Sequence, residues 1–378
     1  MPSRRGFLRS SLGACWTGAA LLEQAVFRAG YARAMAATAG ERLFDIEKVA
    51  PNVYAAVARP QVLINCNAAI FERSSDLLIV DTHSKPSAVV ALVAQIKSEV
   101  SPKPVRYVVN SHFHWDHTQG APAYRRLAPG AQIIASEATR QLLSELGGER
   151  LRASLDQTAK SLDEARAKLA AAKTSDEKRR GEESVKQLTA YAGEMKDYAP
   201  ELPDVTFDRG LILHDKDHEL HLVFCGKAHT AGDIMVWSPS RKVIATGDVL
   251  HGSTPFIADG YPKLWPIALL RIAEMQFDHV IGGHAAVQQS RAPLYQMSAY
   301  IDELADVIGR GKQAGRSIEE LQTTYTPATL KSLQGPYREY LLQAPKYMEV
   351  APADAPEQWL ANGVKSNITD VYRTIEKS

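Results

Sequence analysis

The stretch NSHFHWDHTQG, which begins at Asn110, constrains this chain more than any other feature. It holds three histidines and one aspartate within six consecutive positions, directly after the apolar run PVRYVV. In extended backbone, side chains two residues apart point to the same side, so His112 and His114 can bind one ion together. A turn into a helix would let Asp116 and His117 face a second ion. Zinc, iron and manganese accept imidazole and carboxylate ligands, so the loop is predicted to bind one metal ion or two.

Three further residues of metal-binding type follow downstream, each at the carboxyl end of an apolar segment. His229 lies in GKAHTAGD, Asp248 ends KVIATGD, and His284 ends HVIGGH. α/β folds collect their ligands at the carboxyl ends of strands. A single histidine in such a position is more often structural, but together with the histidine loop these three residues indicate one shared site.

Apolar strand segments alternate with helical patterns over residues 45–290. Strands such as those predicted at 62–72 and 205–214 are separated by helices such as the one predicted at 86–99. This alternation predicts an α/β layered fold with largely buried sheets. The remainder, 291–378, is helical and interrupted by prolines, and it is predicted to pack on the sheets as a lid or as an oligomer surface.

Residues 137–200 have a different pattern, which predicts a helical hairpin inserted into the α/β domain. Leu155, Leu162 and Leu169 recur every seven residues, which indicates a narrow apolar seam facing a partner helix. The sequence TSDE, from Thr174, has the form of a capping box that begins the second helix. Such a hairpin could cover the mouth of the active site, could form a homo-oligomer contact as the C-terminal helices could, or could be an insertion with no role in the site.

The N-terminus carries the features of an export signal. SRRGFLRS pairs Arg4 with Arg5 and precedes a short apolar run, with small residues that allow a cut after Ala34 or Ala36. The paired arginines resemble the twin-arginine signal, which predicts a signal peptide at 1–36 and a periplasmic location. The alternative is the basic start of a cytosolic helix. The apolar run is too short to span a membrane, so no stable membrane insertion is expected after signal removal.

Charge and cysteine content narrow the class of partner. The whole chain has a net charge of +1, and removal of 1–36 takes away five arginines and one glutamate, which leaves −3. No basic surface of the kind that nucleic-acid binding needs is implied, so the predicted partner is a small-molecule substrate and not a nucleic acid. Cys66 and Cys225 lie in apolar segments, where buried free thiols are expected.

Taken in order, these motifs resemble those of the metallo-β-lactamase superfamily. The resemblance runs through HFHWDH, HTAGD from His229, GD ending at Asp248 and GH ending at His284, with an early acidic position at Asp81. It covers residues 45–290. The fold that it implies is a four-layer αβ/βα sandwich, with the helical hairpin and the C-terminal helices as additions.

The resemblance also implies how the ligands divide between two metal ions. It assigns His112, His114 and His229 to the first ion and Asp116, His117 and His284 to the second, with Asp248 bridging both. Asp81 would accept a hydrogen bond that selects the tautomer of a histidine ligand. Asp233 has the same possible role or is a plain turn residue.

The predicted cofactor is a pair of Zn²⁺ ions, with iron or manganese as alternatives. Two such ions about 3.5–4 Å apart can lower the pKa of a shared water toward 7. The bridging hydroxide would attack an ester, thioester, lactone or lactam carbonyl. Asp116 is predicted to orient this nucleophile and to shuttle its proton. His251, three residues after Asp248, is the second predicted catalytic residue.

The aspartate at position 248 bears on the choice of reaction. Relatives that hydrolyse β-lactams usually carry a cysteine or serine there, so Asp248 looks more like the glyoxalase II-like thioesterase, lactonase, sulfatase or quinoprotein-associated branches. The alternatives are β-lactamase activity proper, sulfatase activity, and an iron-dependent enzyme that oxidises sulfur substrates. Phe256, Tyr261, Trp265 and Trp115 could line the substrate pocket, although ordinary packing is the commoner role of such side chains.

Overall fold

The computed structural model describes residues 42–348 and 355–377. The signal peptide predicted at 1–36 lies outside these residues, as do positions 349–354 and 378 of the predicted C-terminal region. Within the described residues, two mixed sheets pack face to face, and helices cover the outer face of each sheet.

The first sheet has seven strands in the described part of the chain, which lie across the sheet in chain order. They are β1 (Phe44–Ala50), β2 (Val53–Ala58), β3 (Ala68–Glu72), β4 (Leu77–Val80), β5 (Val105–Val109), β6 (Gln132–Ser136) and β7 (Val205–Phe207). Strands β1 to β4 pair antiparallel, whereas β4 to β7 pair parallel. The carboxyl ends of β4 and β5 therefore meet at one edge, where Asp81 and the histidine loop begin.

The second sheet has five strands among the described residues, in the order β12-β11-β10-β9-β8. They are β8 (Gly210–Leu213), β9 (Leu220–Val223), β10 (Met235–Ser238), β11 (Val243–Gly247) and β12 (His279–Gly282). Strands β11 and β12 pair parallel and the others antiparallel. Because β11 and β12 run in the same direction, Asp248 and His284 leave the sheet at the same edge.

An apolar layer fills the space between the sheets. Phe71 and Val109 of the first sheet and Val236 and Ile281 of the second are buried in it. Since strand side chains alternate between faces, the remaining apolar residues point outward against helices. The helices that follow strands of the first sheet are α1 (Pro86–Glu99), α2 (Trp115–Thr118) and α3 (Ala121–Leu127). Helices α1 and α3 cover its outer face.

Two predicted strands were wrong in extent. The segment 62–72 is a strand only over β3, and its first half is a loop. This loop is held by the Asn67 side chain, which donates to the carbonyl oxygens of Gly282 and Ala285 at 3.1 and 2.8 Å. The segment 205–214 divides into β7 and β8, which belong to different sheets. Apolar alternation shows that a segment is extended, but it cannot show where the chain crosses between sheets.

Two helices separate β6 from β7 and form a hairpin. They are α4 (Glu137–Ala171) and α5 (Ser175–Met195). Thr174 and Glu177 form the capping box that begins α5. On α4 the buried residues Leu151, Thr158 and Ala165 recur at heptad spacing. The leucines of the predicted seam form a second row beside them and are half-buried. The seam between the helices is therefore shared by both sets, as in a short coiled coil.

The base of the hairpin packs against the α/β layers beside the histidine loop. Tyr191 Oη donates to Gln119 Oε1 at 2.9 Å. The Glu194 carboxylate accepts hydrogen bonds of 2.6 and 2.7 Å from the backbone N–H and the hydroxyl of Ser87. Leu63 adds an apolar contact to the buried end of the hairpin. These contacts join the inserted helices to the domain at the edge where the predicted ligands lie.

The outer face of the second sheet is covered by helices from the C-terminal part of the chain. Its helices are α6 (Trp265–Ala273), α7 (Ala292–Gln313), α8 (Ile318–Thr324), α9 (Pro336–Leu341), α10 (Pro345–Met348) and α11 (Pro356–Thr374). Ile244 and Val280 of the sheet share one apolar cluster with Leu304 of α7 and Val364 of α11. The predicted four-layer αβ/βα sandwich is confirmed, and the C-terminal helices share its core. No helix in the described ranges is long and apolar enough to span a membrane.

The shared core can be tested with two leucines. Leu304 is fully buried, so we expect Leu304→Ala to lower the free energy of unfolding by about 2–5 kcal/mol through the cavity that it leaves. Leu270 on α6 is 45% exposed, and Leu270→Ala should change that free energy by less than about 0.5 kcal/mol. Urea unfolding followed by circular dichroism measures both variants. Equal effects would contradict a C-terminal region that belongs to the core.

Candidate metal centre

The predicted ligands lie in loops at the edge where strands of both sheets end. His112 and His114 belong to the extended segment after β5, and the backbone of His114 remains extended with φ −66° and ψ 152°. The one-turn helix α2 begins at Trp115 and carries Asp116 and His117. The change from extended to helical backbone thus separates the two pairs of side chains, as the spacing of the loop predicted.

The structure brings all seven predicted ligands together in one buried cluster. One group of potential ligand atoms, within 4.8 Å of one another, comes from His112, His114, His229 and Asp248. Another group comes from Asp116, His117 and His284. Within the first group, His114 Nδ1 lies 2.8 Å from His229 Nε2, so the two nitrogens face a common point.

The Asp248 carboxylate lies between the two groups. Its Oδ1 is 3.3 Å from His117 Nε2 and 3.5 Å from His284 Nε2. Its Oδ2 is 3.5 Å from His229 Nε2 and 3.3 Å from His251 Nε2. The two oxygens of one carboxylate therefore face different groups, which is the arrangement that a bridging ligand needs.

Asp81 selects the tautomers of two histidines. Its carboxylate accepts hydrogen bonds from Ser111 N at 2.8 Å, Ser111 Oγ at 2.9 Å and His117 Nδ1 at 2.8 Å. Because the Ser111 hydroxyl gives its hydrogen to Asp81, its oxygen accepts from His112 Nδ1 at 3.0 Å. With hydrogens on Nδ1, both His112 and His117 turn Nε2 toward the cluster, and this is the nitrogen that would bind a metal ion.

The other side of the cluster is held in the same way. His114 Nε2 donates to Asp259 Oδ2 at 2.8 Å, which leaves the Nδ1 lone pair for the cluster. Asp259 also accepts two hydrogen bonds of 2.7 Å from Arg150 of α4. His251 Nδ1 lies 2.8 Å from Ser253 Oγ, so its Nε2 is directed at Asp248. Asp259 and Arg150 were not predicted, because nothing in their local sequence distinguishes them from surface charges.

The donor set fits divalent metal ions. His112 Nε2, His117 Nε2 and Asp248 Oδ1 are buried atoms without a hydrogen-bond partner among the described residues. Buried polar atoms normally have partners, since an unpaired one costs about 1–3 kcal/mol. All three atoms point into the cluster, and metal ions would satisfy them together. Nitrogen and oxygen donors of this kind suit zinc, iron or manganese.

Burial and the neighbouring charges shift the pKa values of the residues in the cluster. Burial and neighbouring histidines lower the pKa of His112 and of His229 well below the usual value, so both rings are neutral, as ligands must be. Burial opposes ionisation of Asp116 and Asp248, but the histidines outweigh it and hold both carboxyl pKa values well below the usual range. Burial lowers the pKa of His284, but Asp248 and Asp116 outweigh it and raise that pKa to about 9. Asp248 and Asp116 likewise outweigh burial at His117 and raise its pKa well above the usual value, so a metal ion that bound these two rings at neutral pH would displace a proton from each.

The remaining predicted residues divide between the site and the core. Phe256 is 44% exposed, and its ring centroid lies 5.5 Å from that of His114, so it lines the mouth of the cluster. Trp265 is fully buried and donates to the Val249 carbonyl, so its role is packing. Asp233 accepts hydrogen bonds from the backbone N–H and the hydroxyl of Thr230, so it acts as a turn residue, one of its two predicted roles. In addition, burial raises the pKa of the Asp233 carboxyl to about 7.

Trp115 and Tyr261 lie at the periphery. Trp115 is half-buried, and its ring centroid lies 6.3 Å from that of Tyr191 of the hairpin. Tyr261 is half-buried under the Lys227 ammonium, 5.0 Å from the ring centroid. The Phe256 ring, in contrast, lies beside the rings of His114 and His229.

Gly283 tests whether the position of Asp248 matters for metal binding. A Cβ at residue 283 would lie 1.8 Å from Asp248 Oδ1, so Gly283→Ala must displace that carboxylate. We expect this variant to lose at least one metal equivalent per chain relative to the wild-type protein, measured by elemental analysis. Gly193→Ala is the matched control, because a Cβ there meets nothing within 4 Å. Full metal content in Gly283→Ala would contradict a ligand role for Asp248.

Comparison with known proteins agrees with the geometry of the site. The family model of the metallo-beta-lactamase superfamily matches residues 63–288, which include all seven predicted ligands. A solved structure, the metallo-beta-lactamase from Pontibacter korlensis, is similar with a TM-score of 0.49 and 18% sequence identity, over 68% of this chain and 98% of that one. No curated protein matches the chain. The family match spans more than half of the sequence, and the chain belongs to the metallo-beta-lactamase superfamily.

Proposed function

We propose that this protein is a hydrolase that uses two divalent metal ions, which we take to be zinc. The observation that carries the proposal is the position of Asp248, whose two carboxylate oxygens face two separate groups of ligands. A carboxylate shared in this way is suited to hold two ions close together, as two-metal hydrolases require. The three buried atoms without partners support the same reading.

When bound, two such ions would lower the pKa of a water between them and would polarise a substrate carbonyl. We propose that Asp116 accepts the proton of that water. Its Oδ2 lies 3.3 Å from His284 Nε2 and 3.4 Å from His117 Nε2, and its carboxyl group is ionised. A carboxylate in this position can orient the attacking water and return a proton to the leaving group.

His251 is the second residue that we propose to act on the reacting atoms. Burial lowers the pKa of its ring to about 4, so the imidazole is neutral at pH 7. Ser253 Oγ donates to the Thr254 carbonyl at 3.2 Å, which leaves its oxygen to accept from His251 Nδ1. His251 Nε2 faces the cluster 3.3 Å from Asp248 Oδ2, where it can exchange a hydrogen bond with water or substrate.

The substrate that we propose is a small ester, thioester or lactone with an apolar portion. Phe256 presents an exposed ring beside His114 and His229, with centroid distances of 5.5 and 6.2 Å. An exposed aromatic ring at the mouth of a site favours apolar groups. An aspartate rather than a cysteine or serine at position 248 supports this class over β-lactams. The paired arginines near the N-terminus support a periplasmic location, because they resemble the twin-arginine signal. The twin-arginine pathway exports folded, cofactor-loaded proteins.

Metal analysis followed by a substrate panel tests the proposal. The purified protein should hold two colourless zinc ions per chain and should hydrolyse at least one member of a panel of thioesters, lactones, aryl esters, β-lactams and sulfate esters. Zinc-loaded protein that hydrolyses none of them would refute the hydrolase assignment. Coloured protein with stoichiometric iron would instead support the oxidation of sulfur substrates.

The bridging role of Asp248 predicts the effect of its removal. We expect Asp248→Ala to lose about one metal equivalent and most of its activity, because it removes oxygens that face both groups. Asp278→Ala is the control, since Asp278 lies on the surface with a side chain that is 62% exposed. Elemental analysis and the hydrolysis rate measure both. Unchanged metal content in Asp248→Ala would contradict the bridging role.

The role of His251 predicts a different pattern. His251→Phe keeps a ring of similar size but removes both nitrogens, so we expect kcat to fall by about 10²–10⁴-fold with the metal content retained. Steady-state kinetics and elemental analysis on the same sample separate the two effects. Unchanged kcat would contradict a catalytic role, and loss of metal would make His251 a ligand instead.

A further inference from the structure

We propose that the helical hairpin is a positioning element of the metal centre, which acts on His114 through the Arg150–Asp259 pair. Nothing in the metallo-beta-lactamase resemblance assigns a role to this hairpin, which interrupts the α/β pattern between β6 and β7. The inference rests on the metal binding of the proposed function and does not depend on which substrate is hydrolysed.

The chain of contacts from the hairpin to the cluster is continuous. Both terminal nitrogens of Arg150 donate to Asp259, one to each carboxylate oxygen, at 2.7 Å. Asp259 Oδ2 then accepts from His114 Nε2 at 2.8 Å. A two-pronged guanidinium–carboxylate contact restricts the plane of the carboxylate as well as its position. The direction of the hydrogen bond to His114 is therefore set by a residue of α4.

The consequence for His114 follows from the geometry of its ring. His114 faces His229 Nε2 through Nδ1, at 2.8 Å, and Asp259 through the opposite nitrogen. Rotation of the ring by half a turn would replace Nδ1 with a carbon atom and break both contacts. Asp259 opposes this rotation and also keeps the hydrogen on Nε2, which leaves Nδ1 free to bind an ion.

A second contact fixes Arg150 against the histidine loop itself. Its guanidinium lies over the ring of Phe113, 4.6 Å from the centroid, and Phe113 is the buried residue between His112 and His114. Where α4 meets this loop, a cavity of only about 50 Å³ remains. The hairpin is further anchored where Tyr191 donates to Gln119, just after α2. The loop is thus held from the hairpin side at Phe113, between two predicted ligands, and at Gln119, after the last of them.

The test compares metal affinity in variants of the pair. Zinc is titrated into metal-free protein against a chromophoric chelator, for the wild type, Arg150→Ala, Arg150→Lys, Asp259→Ala and the Arg150→Ala/Asp259→Ala double variant. Arg152→Ala is the matched control, because Arg152 is exposed two positions along the same helix. Thermal unfolding of the metal-free proteins separates loss of affinity from loss of fold. Arg150→Lys and Asp259→Ala keep the test available if Arg150→Ala does not fold.

We expect Asp259→Ala to weaken zinc binding by about 10–100-fold, the usual effect of removing a partner of a metal ligand. Arg150→Ala should weaken it by at least about threefold, Arg150→Lys by less, and the double variant no more than Asp259→Ala alone, since the two residues act in series. The absorption spectrum of the cobalt(II)-substituted protein should change in Asp259→Ala and in Arg150→Ala but not in Arg152→Ala. A purely structural contact would lower thermal stability without changing the spectrum.

The outcomes separate this inference from the proposed function. Wild-type protein that binds neither zinc nor cobalt would overturn both. Wild-type binding with unchanged affinity and spectrum in Arg150→Ala and Asp259→Ala would overturn the positioning role alone. A raised KM in Arg150→Ala with unchanged metal affinity would make Arg150 a substrate contact, which also overturns it.

Discussion

The Asp81 carboxylate is the group on which the geometry of the site depends. It follows β4 directly and bonds across to Ser111 and His117, which follow the neighbouring strand β5. Through Ser111 it also orients His112. One buried carboxylate thereby sets which nitrogen of two rings faces the cluster. Parallel pairing is what makes this possible, because it ends β4 and β5 at the same edge.

Close approach of the two sheets completes the site. Gly247 adopts φ 50°, in the left-handed region, and a Cβ there would lie 2.3 Å from Ser111 Oγ. Gly283 leaves room for the Asp248 carboxylate in the same way. Only glycine permits such contact between backbone and neighbouring groups. The glycine before Asp248 therefore lets the second sheet approach the first, and the glycine before His284 makes room for the neighbouring Asp248 carboxylate.

The sequence predicted much of this architecture, and the places where it failed share one cause. The helix at 86–99 and the strand at Val105–Val109 were predicted with their observed bounds, since each has a local periodic pattern. The segments 62–72 and 205–214 were misjudged because their ends depend on distant groups. Asn67 bonds to backbone carbonyls 215 and 218 residues away, and the crossing between β7 and β8 depends on how the sheets stack.

For the site, the sequence by itself determined the types of ligand and their local presentation, because spacing along an extended loop and a turn into a helix are properties of neighbouring residues. The tertiary structure alone decided which atoms hold those ligands in place. His114 and Asp259 are 145 residues apart, and Arg150 and Asp259 are 109 residues apart. Hydrogen bonds between such distant segments depend on how an inserted hairpin and a loop meet in space. The local sequence around Arg150 and Asp259 carries no pattern that indicates these contacts, which is why the sequence predicted the candidate ligands but not the residues that contact His114.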